Sequence, residues 1–245
     1  MPTAKKIALI TGANKGLGFE MARQLGLAGV TVVLAARDPQ KGEAAAEKLR
    51  NEGLDARFLK LDVTNKADYE TAAAFLDQKY GHLDILINNA GISAEGLGTG
   101  RATATSSEVI HRTFETNFFA PVALTQALLP LLRKSDAARI VNMSSILGSQ
   151  TLHADPASPI YNFKSLSYDA SKAALNSFTI HLAWELKDTK IKVNSAHPGW
   201  VKTDMGTDAA PMEIPEGAKT GVELALLAED GPTGGYFHLG NKLPW

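Results

Sequence analysis

Short apolar runs rich in β-branched residues alternate along this chain with longer segments whose apolar positions recur at helical spacing. Ile7 to Ile10 is followed by Gly16 to Leu27, and Val30 to Leu34 by Pro39 to Arg50. Short continuous apolar runs predict strands buried on both faces, and the helical segments between them predict parallel crossovers. The rhythm continues with strands near Ala56 to Leu61, Leu83 to Ile87, Arg139 to Met143 and Lys190 to Ser195, and a last one at Tyr236 to Leu239. The expected architecture is α/β, a doubly wound sheet of about seven mostly parallel strands with helices on both faces. Asp38-Pro39 reads as an N-cap followed by proline at the first helical position, while Gly29 and Gly53 punctuate helix ends.

Three stretches break the rhythm: Ser93 to Ser107, rich in Gly, Thr and Ala; Ser149 to Leu166, with Pro156 and Pro159; and Pro198 to Pro215, with Trp200, Met205 and Met212. Long connections in a compact domain are commonly lids or binding loops. In a doubly wound sheet they fall at the carboxyl ends of the strands, so all three are expected around one site.

Bulk properties narrow the chemistry. With 245 residues, 44% of them hydrophobic, and neither repeat nor linker, one domain spanning 1–245 is expected. A net charge of −1 without a basic run argues against nucleic acid as a partner. Cysteine is absent, which removes disulfides, thiolate metal ligands and a cysteine nucleophile. None of the six histidines has metal-ligand spacing, so no metal is expected. The start of the chain lacks the apolar core of a secretory signal and no stretch is long enough to span a bilayer, so a cytoplasmic protein without membrane attachment is the expectation.

Two features carry chemistry. Gly12, Gly16 and Gly18 follow the first strand and open the first helix, where a tight turn brings backbone close to a pyrophosphate and the helix N-terminus favours anions. Tyr168 and Lys172 stand at i, i+4 on one predicted helix, so the ammonium can favour the phenolate over the phenol. Either feature alone has a bland alternative, a packing turn or a chance spacing.

The Gly-x-x-x-Gly-x-Gly turn, Asn88-Asn89-Ala90-Gly91, Ser144-Ser145 and Tyr168-Asp-Ala-Ser-Lys172 occur in order. With them the chain resembles the short-chain dehydrogenase/reductase family over nearly its whole length. Ile-Thr-Gly-Ala-Asn-Lys-Gly, Pro198-Gly199-Trp200-Val201-Lys-Thr203-Asp204-Met205 and Gly231-Pro-Thr-Gly-Gly are similar to its carbonyl-reductase branch. The resemblance implies a Rossmann fold and reversible, NADPH-dependent reduction of aldehydes or ketones to alcohols. Tyr168 is then the proton donor, Lys172 lowers its pKa, Ser145 binds the substrate oxygen, and Asn117 holds a water leading from Lys172 to solvent. Ser145 is preferred to Ser144 because the family serine stands three residues before a glycine, here Gly148. The implied cofactor contacts are Gly12, Asn14, Lys15, Gly16, Leu17, Gly18, Arg37, Asp62, Val63, Asn89, Ala90, Gly91, Tyr168, Lys172, Pro198, Gly199, Val201 and Thr203.

NADP(H) is preferred to NAD(H) because the second strand ends Ala35-Ala36-Arg37, with no acid at the ribose-binding position and a base after it. Asp38 is assigned to the helix cap; Asp62 has a cap as its alternative role, and Asn117 that of kinking a long helix. Tyr161 has Ser165 at i+4 and reads as a loop or pocket residue. Leu147, Leu152, Trp200, Met205 and Met212 form either an apolar wall for a hydrophobic small-molecule carbonyl or the packing of a lid. The segment Thr151 to Leu166 is longer than in the commonest family pattern. By resemblance it obstructs the helix interface of tetrameric relatives, so a monomer is favoured over a dimer. The competing class is a non-enzymatic NADP(H)-binding regulator on the same fold.

Overall fold

The computed structural model describes residues 5–245; residues 1–4, part of the segment read above for a secretory signal, lie outside the described residues. The elements run β1 (Ile7–Thr11), α1 (Gly16–Leu27), β2 (Thr31–Ala36), α2 (Pro39–Asn51), β3 (Ala56–Lys60), α3 (Lys66–Tyr80) and β4 (Ile85–Asn88). They continue α4 (Ser107–Phe114), α5 (Ala120–Leu132), β5 (Arg139–Met143), α6 (Gln150–Ala154), α7 (Leu166–Glu185), β6 (Lys192–Ala196), α8 (Ile214–Ala225), β7 (Tyr236–His238) and β8 (Asn241–Lys242). The sheet order is β3-β2-β1-β4-β5-β6-β7-β8. The pairs from β3 to β7 are parallel, and β8 folds back antiparallel on β7 as a short hairpin, an eighth strand beyond the last one, Tyr236 to Leu239, expected from the sequence.

Period-two alternation sends Leu9, Val33 and Leu86 into one core with α3, α5 and α7, and Ile10, Val32 and Ile87 into a second core with α1, α2 and α8. Burial on both faces is why these strands are continuous apolar runs. Asp38 caps α2 by accepting from the Lys41 N–H at 3.1 Å, and Pro39 opens the helix. Gly29 and Gly53 follow the ends of α1 and α2 with φ of 84° and 81°, the left-handed geometry that glycine takes without a Cβ penalty.

One polar chain crosses the sheet interior. Asn88 Nδ2 donates to Asn142 Oδ1 at 2.8 Å and to Thr125 Oγ1 at 3.0 Å; Asn142 Nδ2 donates to Thr179 Oγ1 at 2.8 Å, which bonds Ser195 Oγ at 2.8 Å. Each partnership offsets the cost of burying these groups and ties α5 and α7 to the central strands. Among the described residues no helix is long and apolar enough to cross a membrane.

Candidate active site

Strand order reverses between β1 and β4, which opens a crevice at their carboxyl ends. Gly12 and Gly16 hold φ of 63° and 57° there. A Cβ on Gly12 would lie 3.1 Å from Ala90 Cα, and one on Gly18 would lie 2.5 Å from Asn89 Nδ2. Gly16 differs, since the nearest atom to its Cβ position is Thr203 Cγ2 at 3.7 Å. Two glycines therefore let the turn press on the end of β4, while the third faces the space bordered by Thr203. Thr11, a role sequence reasoning missed, clips the two loops together. Its Oγ1 accepts from the Asn89 and Ala90 N–H groups at 2.9 and 3.0 Å, and Asn89 Nδ2 returns a bond to Thr11 O at 2.8 Å.

Of the other turn residues, Asn14 is partly buried and Leu17 packs against the second core. Lys15 precedes α1 and pairs with Asp204 across the crevice mouth. Arg37 is exposed at the end of β2 and has no ion-pair partner among the described residues, whereas Asp38 is engaged with Lys41. Asp62 Oδ1 accepts from both the backbone N–H and the hydroxyl of Thr64 at 2.9 and 2.8 Å, which is a local turn rather than a helix cap. The cap of α3 is Asn65, and Val63 packs against the first core.

Farther along the crevice, the catalytic candidates converge. Lys172 is 4% exposed, and its Nζ donates to Met143 O at 2.8 Å and lies 5.6 Å from the Tyr168 ring centroid. A Cβ on Gly91 would stand 3.4 Å from both Lys172 Nζ and Asn117 Oδ1, so Gly91, Asn117 and Lys172 enclose one small space. Asn117 sits in a π-helical turn, Glu115–Phe119, between α4 and α5. This extra-wide turn turns Asn117 inward: Oδ1 accepts from Ile92 N–H at 2.9 Å, and Nδ2 donates to Ile92 O at 2.9 Å and Ser171 Oγ at 3.0 Å. The distorted turn is what delivers the asparagine to this space.

Burial adds an influence that the spacing alone did not show. The i, i+4 spacing suggested that Lys172 depresses the Tyr168 pKa, yet burial pushes the phenol up to about 12, with Asp169 adding to the rise and the Ser145 hydroxyl pulling against it. Burial also brings Lys172 down to about 8. Desolvation acts on both groups at once, favouring neutral phenol and weakening the ammonium's hold on its charge. Ser145 caps a short turn, accepting from Leu147 N–H at 3.3 Å, while the hydroxyl of Ser144 is buried on the side of Tyr236. Strand alternation thus separates the two serines and leaves Ser145 with Tyr168.

The three long connections close on this region, and they are not structureless. Residues 149–166 contain α6, and Ile160 and Leu147 pack on Tyr168 with Leu97, Ile146, Leu152 and Met205. Trp200 is 54% exposed and bonds Gly206 O through Nε1, so it braces its own loop. Met212 pairs with Val201 in a β-bridge, and its Sδ would be 2.7 Å from a Cβ on Gly199, whose φ is 93°. Pro198 is partly buried beside Gly199. Tyr161 is on the surface under the Lys164 ammonium.

His197, which the sequence offered no signal for, links the end of β6 to the Ser145 turn. Its Nδ1 accepts from Ile146 N–H at 3.1 Å, and burial, with His238 beside it, lowers its pKa to about 3 and keeps it neutral. Asp169, next to Tyr168, is raised to about 7 by burial and by Glu95, against the Ser165 N–H and Lys164. Among the described residues no group of three or more His, Asp or Glu is placed to hold a metal ion.

A glycine turn at the switch point of a parallel sheet, with a Ser-Tyr-Lys set beyond it whose tyrosine and lysine are buried, defines a dinucleotide-dependent dehydrogenase architecture. The short chain dehydrogenase family model matches residues 6–214, and the chain belongs to this family. It is 34% identical to the (+)-neomenthol dehydrogenase of Arabidopsis thaliana, covering 95% of each chain. It is also 34% identical to carbonyl reductase (NADPH) 1 of Mus musculus, covering 100% of both. Among solved structures, the NADPH-bound carbonyl reductase from chicken fatty liver superposes with a TM-score of 0.85 at 30% identity, covering 98% of this chain and 99% of that one.

Proposed function

We propose that this protein is an NADPH-dependent reductase of aldehydes and ketones, reversible with the alcohol and NADP+. The observation that carries the reading is the convergence of Ser145, Tyr168, Lys172 and Asn117 on one end of the nucleotide crevice. A bound NADPH supplies the hydride. Tyr168 holds the proton for the carbonyl oxygen, and Ser145 donates a hydrogen bond to the same oxygen as negative charge develops on it. Lys172, with one of its three N–H groups on Met143 O, directs its remaining donors to the nicotinamide ribose. Asn117 holds the water that connects Lys172 to solvent. The remaining assigned contacts, from Gly12 to Thr203, hold the dinucleotide.

An intact, buried proton donor favours this reading over a cofactor-binding regulator, which has no use for one. The apolar surroundings of Tyr168 favour aromatic or hydrophobic carbonyl compounds. The reading includes a cytoplasmic location and a monomeric state, the latter supported by the packing of residues 149–166 against the start of α7; a tetramer in light scattering would contradict the monomer. The reductase test is turnover of NADPH against a panel of hydrophobic aldehydes and ketones. Tight NADPH binding without turnover across the panel would favour the regulator.

Cofactor choice rests on Arg37. Its guanidinium, exposed and without an ion-pair partner among the described residues, suits the 2′-phosphate of the adenosine ribose. Arg37→Asp should raise KM for NADPH by about tenfold to a hundredfold while leaving KM for NADH little changed. An unchanged ratio of the two would remove Arg37 from the cofactor site.

A further inference from the structure

The first turn of α7 carries Tyr168, but its own N-cap does not serve it. Ser165, the N-cap residue, makes no side-chain bond to that turn; its Oγ accepts instead from the Gly98 N–H at 2.6 Å. The amides of Ser167 and Tyr168 are the donors that a cap ordinarily satisfies. Here they are taken by a carboxylate from 72 residues upstream: Glu95 Oε1 accepts from the Ser167 N–H at 2.6 Å, the Ser167 hydroxyl at 2.7 Å and the Tyr168 N–H at 3.3 Å. Its other oxygen, Oε2, accepts from the Thr105 hydroxyl at 2.9 Å. These bonds outweigh the effect of burial and hold the Glu95 pKa below the ordinary value, so it is ionised at neutral pH.

The loop bearing Glu95 is fitted to the helix end. Gly100 N–H bonds Lys164 O at 3.1 Å, and a Cβ on Gly100 would lie 2.8 Å from Ser165 Cα and 2.7 Å from Glu95 Oε2. A Cβ on Gly98 would strike the Phe163 ring at 2.6 Å. The same loop contributes Leu97 to the apolar cluster around Tyr168. We propose that Glu95 is a positioning residue for the reaction: by capping the first turn of α7 from the substrate-side loop, it fixes Tyr168 in its proton-donating position. The proposal rests on the reading of Tyr168 as proton donor.

The experiment compares kcat per NADPH-binding site, counted by fluorescence titration, for Glu95→Ala, Glu95→Gln and Glu95→Asp, with Tyr168→Phe alongside. Glutamine keeps an oxygen for the two amides and offers its NH2 to Thr105, so it should remain within about threefold of wild type. Alanine removes the cap, and aspartate is one methylene too short to reach; each should lower kcat by about tenfold to a hundredfold with NADPH affinity unchanged. Should alanine fail to fold, the aspartate and glutamine proteins carry the comparison. Wild-type kcat in the alanine or aspartate protein overturns the proposal. So does a loss matched by weakened NADPH binding, and so does glutamine as poor as alanine, since charge rather than placement would then be at work. Retained turnover in Tyr168→Phe would instead remove the donor assignment itself, a separate failure.

Discussion

Tyr168→Phe should leave NADPH affinity intact and lower kcat for carbonyl reduction by about 10²- to 10⁴-fold, the range lost with a general acid. The phenol is 6% exposed, in contact with Leu147 and Ile160, and phenylalanine fills the same space with no new buried polar group. Burial holds the tyrosine pKa near 12, so at neutral pH the group carries its proton and is ready to give it to a developing alkoxide. The reverse reaction needs the phenolate, and alcohol oxidation should accordingly gain rate as pH rises while reduction does not. Steady-state kinetics in both directions check this, with NADPH titration confirming the intact binding site. Reduction at wild-type rate in the phenylalanine protein would take proton delivery away from Tyr168.

Lys172→Met should cost about 10²-fold or more in kcat/KM for NADPH, and should remove an alkaline limb from the pH profile. In the free enzyme the buried ammonium titrates near 8, below the ordinary lysine range. The charged form therefore persists below about pH 8 and is lost as pH rises through that value. Since kcat/KM reports groups in the free enzyme, the wild-type parameter should fall across the same interval. The methionine protein should be slow and flat there. An alkaline limb that survives in Lys172→Met would belong to another group.

The sequence made the frame legible wherever a pattern is local. β1 and β2 announce themselves as apolar runs because both sheet faces are covered, and Asp38-Pro39 marks the start of α2 by chemistry confined to four residues. The glycine spacing located the crevice, and Tyr168 with Lys172 located its far end. What could not be read was anything set by the fold's long reach. How far desolvation opposes Lys172 at Tyr168 depends on the loops that cover it. Glu95 lies in a segment whose Gly, Thr and Ala content suggested only a lid; its partners become visible when the chain folds that loop onto α7. Thr11 stands inside the recognised turn, but its hydroxyl's use follows from the adjacency of β1 and β4. His197 and the buried chain from Asn88 to Ser195 are likewise products of strand order rather than of spacing.

On the proposed reading, hydride passes from NADPH to a carbonyl carbon at the site of Tyr168. It is tested most directly by turning over deuterium-labelled NADPH, carrying the label at the transferable position of the nicotinamide, with a hydrophobic ketone and analysing the product by mass spectrometry and NMR. Wild type should form an alcohol bearing one deuterium on its carbinol carbon in step with cofactor oxidation, and Tyr168→Phe should form it about 10²- to 10⁴-fold more slowly. Cofactor bound but label never transferred, across the carbonyl panel, would contradict it.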